Sequence, residues 1–171
     1  ETLFLCIQHS QDSLIQNKYL PILKEAVQEG AAKGWHYAFL TDRCLMNQGQ
    51  KQIYGTQIIT KNGVSYLVPL QDIDKVDSLR KEIGLEPLSE YMKDCGLKNG
   101  WSKEFYKNNV KQHESIFNSW FQSSKQKENS YQPSIDCNVH GPSQTNKSRT
   151  GFIDLKYKPR SYCNQAQYFH P

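Results

Sequence analysis

His9 follows Gln8 at the end of the apolar run Leu3-Phe4-Leu5-Cys6-Ile7, and an imidazole is the side chain that titrates nearest neutrality. Asp42-Arg43 is a second pair with chemical capacity. A carboxylate can hold an imidazole in one tautomer, and a guanidinium can fork a carboxylate or phosphate. A third group lies in Gln50-Lys51-Gln52-Ile53-Tyr54-Gly55-Thr56-Gln57, where amides and hydroxyls are closely spaced. Assembled, these residues describe a small hydrolase or transferase. His9 is the acid/base and Asp42 orients it; Arg43 takes an anionic group, and Gln8, Gln52, Tyr54, Thr56 and Gln57 hold the substrate. Each also has a plainer role. His9 is then a hydrogen-bonded core histidine and Gln8 the cap of a buried helix end. Asp42-Arg43 becomes an interhelical ion pair, and the glutamines tie a hairpin to helices.

Other chemistries find no support. The chain has no Gly-rich phosphate loop followed by Lys-Ser/Thr, no HExxH, no GxSxG and no dinucleotide fingerprint. Its histidines (9, 36, 113, 140 and 170) are scattered, so no metal and no cofactor is expected. The cysteines, at 6, 44, 95, 137 and 163, are odd in number and contain no CxxC. Cys6 and Cys44 fall in apolar helical stretches and read as small core residues. Cys137 and Cys163 are the pair that an oxidising compartment would bridge.

The elements that must position these residues follow from local pattern. Asn62-Gly63 sits between two β-branched and aromatic runs, the arrangement of a two-residue hairpin turn. That turn pairs Lys61 with Val64, Ile59 with Tyr66, Gln57 with Val68 and Gly55 with Leu70. One face then carries Ile53, Gly55, Ile59, Val64, Tyr66, Val68 and Leu70, with Gln57 as its single polar member. A buried amide without partners costs about 1–3 kcal/mol, so Gln57 requires a role. Tyr54 and Thr56 fall on the opposite face unless Gly55 marks a bulge.

Helices are expected over residues 1–10, then from Asp12 as N-cap to a stop at Gly30, with Ile15, Tyr19, Ile22, Leu23 and Ala26 as the inward stripe. Pro21 predicts a kink or a break in that helix. Gly34–Asn47 is the third helix, ended by Gly49. Asp74 caps Lys75–Ile83, which stops at Gly84-Leu85, and Pro87 opens a helix reaching about Asp94. Trp101–Phe121 is an amphipathic helix. The fold class is therefore mainly α with one β-hairpin. The organisation is a helical domain over 1–96 with its hairpin at 51–70, an aromatic helix over 97–122, and a polar basic extension over 123–171.

The 171 residues carry a formal net charge of +4 and a mean hydropathy of -0.75. Charge is uneven: residues 1–91 hold 9 Lys/Arg against 11 Asp/Glu, and residues 92–171 hold 12 against 6. No Arg cluster interleaves with aromatics in the basic part, so a solvated segment is expected there rather than a nucleic-acid surface. No apolar run approaches the roughly 18–20 residues that span a bilayer. No signal peptide is visible, and the chain begins with Glu1.

Ile7-Gln8-His9-Ser10, Tyr19-Leu20-Pro21, Leu40-Thr41-Asp42-Arg43, Gln48 to Gln57, Val76-Asp77-Ser78-Leu79-Arg80 and Gly84 to Tyr91 together resemble a largely bacterial family of unknown function, common in Bacteroidetes and Actinobacteria. The resemblance covers about residues 4–91 and implies a mainly helical domain with one hairpin. It also implies members inside cells and members exported or lipid-anchored, and the exported or periplasmic setting is the one expected here. It attaches no activity, and the residues after about Gly96 depart from it. Two functions stand side by side. One is a binding or interaction module whose residues 97–171 contact a protein partner. The other is the hydrolase or transferase built on His9, Asp42, Arg43 and Gln57.

Overall fold

The computed structural model describes residues 2–10, 12–95, 97 and 101–130. Six helices and one hairpin occur among them: α1 (Thr2–Gln8), α2 (Ser13–Gln28), α3 (Gly34–Asn47), β1 (Ile58–Lys61), β2 (Val64–Leu67), α4 (Val76–Glu82), α5 (Leu88–Asp94) and α6 (Lys103–Ser130). The protein is mainly helical with one antiparallel hairpin, as the sequence pattern requires.

The hairpin turns where its residue types allow it. Asn62 has φ 52° and Gly63 φ 74°, the pair of positive values that matches strand twist in a two-residue loop. The register pairs Lys61 with Val64 and Ile59 with Tyr66. It continues through a Val68 N–H donated to the Gln57 carbonyl at 3.1 Å. The expected Gly55–Leu70 pairing does not form. Gly55 has φ 73° and swings the chain away, and Leu70 instead forms a parallel bridge with Gln52. The hairpin also buries both faces rather than one. Ile58, Leu67 and Leu70 join the main core with Phe4, Phe39, Leu40, Val76, Leu88 and Met92, while Ile59 and Val68 pack with Met46 and Phe117 in a second cluster.

The helix stops behave as read: Gly30, Gly49 and Gly84 all take positive φ just past α2, α3 and α4. Asp12 caps α2, its carboxylate accepting the Leu14 N–H at 2.8 Å. Three expectations need correction. α2 is one helix through Pro21, which lies on its exposed side, so the expected break does not occur. Its inward face is turned one position from the expected stripe, leaving Ile15 39% and Ile22 53% exposed. Gln16 explains the turn. It is buried, its amide donating to the Gln8 and Ser10 carbonyls at 3.1 Å each and accepting from Asn47 Nδ2 at 2.9 Å. This polar contact carries Leu20 and Leu23 onto the core in its row. The third correction concerns α4, which begins at Val76 with no side-chain cap; Asp74 does not cap it, and Asp72 instead closes the turn that leads into it. The Asp72 carboxylate accepts the backbone N–H groups of Asp74 and Lys75 at 2.9 and 3.2 Å, and these bonds hold it below the usual carboxylate range.

α6 runs to Ser130, past the point where an extension was expected to begin. It lays Tyr106, His113 and Phe117 on the hairpin. The Tyr106 hydroxyl accepts the Leu70 N–H at 2.7 Å, and His113 Nδ1 donates to the Leu67 carbonyl at 2.9 Å. Lys51–Glu114, Lys103–Asp77 and Lys107–Asp74 ion pairs, 2.6 to 2.9 Å long, rim the contact. Exposed pairs of this kind contribute about 0–1 kcal/mol each, so the apolar and hydrogen-bonded stripe is what seats the helix. Cys44 is a buried free thiol, pushed up to about 11 by desolvation, but Cys6 is exposed and not a core residue. The Cys137–Cys163 pairing lies outside the described residues.

Candidate functional site

Residues 52–57 form an irregular, buried segment between α3 and the hairpin, and backbone ladders reach only its two ends, at Gln52 and the Gln57 carbonyl. Between them side chains supply the partners. Asp42 is fully buried on α3. Its Oδ1 accepts the N–H groups of Ile53 at 2.8 Å and Tyr54 at 3.1 Å. Its Oδ2 accepts the Thr56 N–H and the Thr56 hydroxyl at 2.9 Å each. Desolvation pushes the Asp42 carboxyl up, and these donors pull it back towards the ionised form. The four donors occupy the acceptor positions a carboxylate offers.

Gln52 acts as a surrogate strand. Its Oε1 accepts the Gln57 N–H at 2.8 Å, and its Nε2 donates to the carbonyls of Gln57 at 3.1 Å and Val68 at 2.6 Å. Gln57 Nε2 donates to the Thr56 hydroxyl at 3.0 Å and the Phe39 carbonyl at 3.5 Å. The Tyr54 carbonyl accepts Arg80 Nη1 at 2.7 Å, and the Thr56 carbonyl accepts the Tyr91 hydroxyl at 3.1 Å. Gly55 is required where it stands. A Cβ there would lie 2.8 Å from Leu88 Cδ1, on a backbone with φ 73°.

The candidate residues thus divide. Asp42, Gln52, Thr56 and Gln57 converge in one sealed network. Tyr54 joins it through its backbone, while its ring stands edge-on to Tyr37 at 6.3 Å and desolvation pushes its phenol up to about 12. Gln8 and His9 are at the end of α1, where the His9 N–H donates to the Leu5 carbonyl at 3.0 Å. Gln8 is buried with its Oε1 unpartnered. Arg43, next to Asp42 in sequence, points to a different side of α3. It makes no hydrogen bond or ion pair among the described residues, its Nε is shielded, and burial lowers its guanidinium to about 10. Asp42-Arg43 is therefore not an ion pair.

Arg80 and Tyr91 are members of the network that local pattern did not reveal. Arg80 is 1% exposed, donates also to the Glu86 carbonyl at 2.6 Å, and lies 5.0 Å from the centroid of the Tyr91 ring. An Arg in the middle of a short amphipathic helix reads as surface, and only its enclosure by α5 and residue 54 shows otherwise. A shallow cleft of about 200 Å³ is lined by Gly49, Lys51, Pro69, Glu114, Phe117 and Asn118, and none of the candidate residues borders it. Among the described residues no group of three or more His, Cys, Asp and Glu could hold a metal ion, and no helix is long and apolar enough to cross a membrane.

No curated protein and no solved structure matches the chain. A family model does match, over residues 1–101, which takes in α1 to α5 and the whole 52–57 network. On that match the chain belongs to DUF6624, a family of unknown function.

Proposed function

We propose that this protein is a binding module in which the polar 52–57 segment is architecture rather than a reaction centre. The observation that carries the reading is Asp42. A carboxylate whose acceptor positions are taken by Ile53, Tyr54 and Thr56 has nothing left with which to orient an imidazole or receive a proton from substrate. Gln52 and Gln57 are committed in the same way, so the hydrolase or transferase reading loses its orienter and two of its substrate contacts. A protein partner that touches residues 97–171 would meet the outer side of α6, because Tyr106, His113 and Phe117 are occupied by the hairpin. Phe105, 46% exposed, is a large apolar residue available there among the described residues.

NMR pH titration of the His9 ring, in wild type and in Gln57→Ala, tests the reading. A midpoint that does not respond to the Gln57 change separates His9 from the network and supports architecture. A solvent-open His9 whose midpoint moves in Gln57→Ala would place both in one working site and restore the enzyme.

A further inference from the structure

The hydrogen bonds of Gln16 turn α2 so that Leu14, Ile15 and Ile22, 76%, 39% and 53% exposed, stand away from the core. With 3.6 residues per turn, Gln16, Leu20 and Leu23 share the inward side. Leu14, Lys18, Pro21, Ile22, Glu25 and Glu29 make up the opposite row, every one of them exposed, and Ile15 borders it. Single exposed apolar side chains are ordinary on a surface, but apolar residues gathered along one helix face mark a contact area. The charges of the row are uncommitted as well. Among the described residues neither Lys18 nor Glu25 joins an ion pair, and the Lys18 ammonium lies 5.8 Å from the centroid of the Tyr19 ring.

This row is complementary to itself in one direction. Lys18 and Glu25 stand equally far on either side of the midpoint between Pro21 and Ile22, about 5 Å each at the helical rise. Laid antiparallel on a second copy, the row sets Lys18 against the other copy's Glu25 twice over and packs Ile22 on Pro21 at the centre. Leu14 then lies on the aliphatic stem of Glu29. A parallel pairing would bring Lys18 onto Lys18 and Glu25 onto Glu25, which disfavours it. An anionic membrane is a poorer occupant, because the row carries one Lys against two Glu. We propose that the outer face of α2 is an interaction surface for a second copy of this chain, a two-fold antiparallel helix pair centred on Pro21 and Ile22. One helix face buries less than the roughly 1,200 Å² of a standard interface, so the dimer is weak and reversible. It is a contact beyond the one placed on α6 and does not depend on it.

Sedimentation velocity of the full chain at low salt, from about 10 μM to about 1 mM protein, tests the pairing. Reductant is present throughout, so that the exposed Cys6 thiol does not link copies. A reversible monomer–dimer equilibrium is expected. Lys18→Glu and Glu25→Lys each place like charges together twice and weaken the dimer roughly tenfold. Their thermal midpoints stay at the wild-type value, because both side chains are exposed. A mixture of the two variants recovers association, since both contacts of the mixed dimer are again opposite in sign. Ile22→Ser removes the central apolar contact and leaves a monomer. A wild-type chain that stays monomeric to about 1 mM overturns the proposal. So does a dimer that ignores Ile22→Ser or is not recovered by mixing the charge variants, because it forms through another face. Binding to anionic lipid vesicles without self-association would assign the row to a membrane and equally overturn the pairing. Either failure leaves the reading of α6 and of the 52–57 network as it stands.

Discussion

Replacing Asp42 by alanine should be the most damaging polar substitution in the 52–57 network. The change strands three backbone N–H groups, of Ile53, Tyr54 and Thr56, and the Thr56 hydroxyl. A buried donor left unpaired costs about 1–3 kcal/mol, which sets a gross loss of roughly 4–12 kcal/mol. Removal of the carboxylate's own desolvation, several kcal/mol, offsets part of this. A net loss of about 3–5 kcal/mol remains, the size seen when one member of a buried charged network is deleted. For a chain of this length that lowers the melting temperature by roughly 10 °C. Asp42→Asn keeps an acceptor for Ile53 and Tyr54 but turns an amide NH₂ towards Thr56, so about half the loss is expected. Urea unfolding followed by fluorescence of Trp35, Trp101 and Trp120 gives both values. An Asp42→Ala protein within about 1 kcal/mol of wild type would refute the assignment of this carboxylate as the segment's main anchor.

Gln52→Ala should cost about 2–3 kcal/mol and exceed Gln57→Ala, because Gln52 serves three backbone groups and Gln57 only one, at a long 3.5 Å; equilibrium unfolding of the two variants settles the order. Gly55→Ala should be clearly worse than Gly63→Ala, since both positions have positive φ but only a Cβ at 55 meets another side chain, Leu88 at 2.8 Å. The left-handed backbone alone costs roughly 1–2 kcal/mol, so thermal melts that rank the two equally would deny the clash. Tyr106→Phe leaves the Leu70 N–H buried without its acceptor, and a loss of about 1–2 kcal/mol is expected by urea unfolding. Asp77 tests pH dependence. Burial pushes its carboxyl up, but the Leu88 N–H and Lys103 outweigh that and hold it below the ordinary value. Its stabilising contribution is therefore present above the ordinary aspartate pKa of about 3.9 and lost as pH falls through the lower folded value. Asp77→Asn should flatten the stability–pH curve in that acidic window, and unchanged curvature would remove Asp77 as a source.

Much of the scaffold was legible in the sequence because its rules are short-ranged. Asn62-Gly63 dictates the hairpin and the register next to it, since only residues that accept positive φ can turn two strands in two residues. Gly30, Gly49 and Gly84 end helices for the same local reason, and the 3.6-residue period was enough to find α3 and most of α6. Gln57 stood out as an amide that needed partners, and Gly55 as a position where a bulge could form, although the same reading paired it with Leu70. The identity of the partners was decided by tertiary structure. Asp42 reaches residues 11 to 14 positions away, Arg80 reaches Tyr54 across 26, Tyr91 reaches Thr56 across 35 and His113 reaches Leu67 across 46. The inward face of α2 was likewise set by the hydrogen bonds of Gln16 to α1 and α3, not by its own apolar stripe. A residue's propensity is a property of its neighbours in the chain. Whether its polar atoms end up paired, as in Asp42, or unpaired, as in Arg43, depends on which distant segments close around it, and no local pattern carries that information.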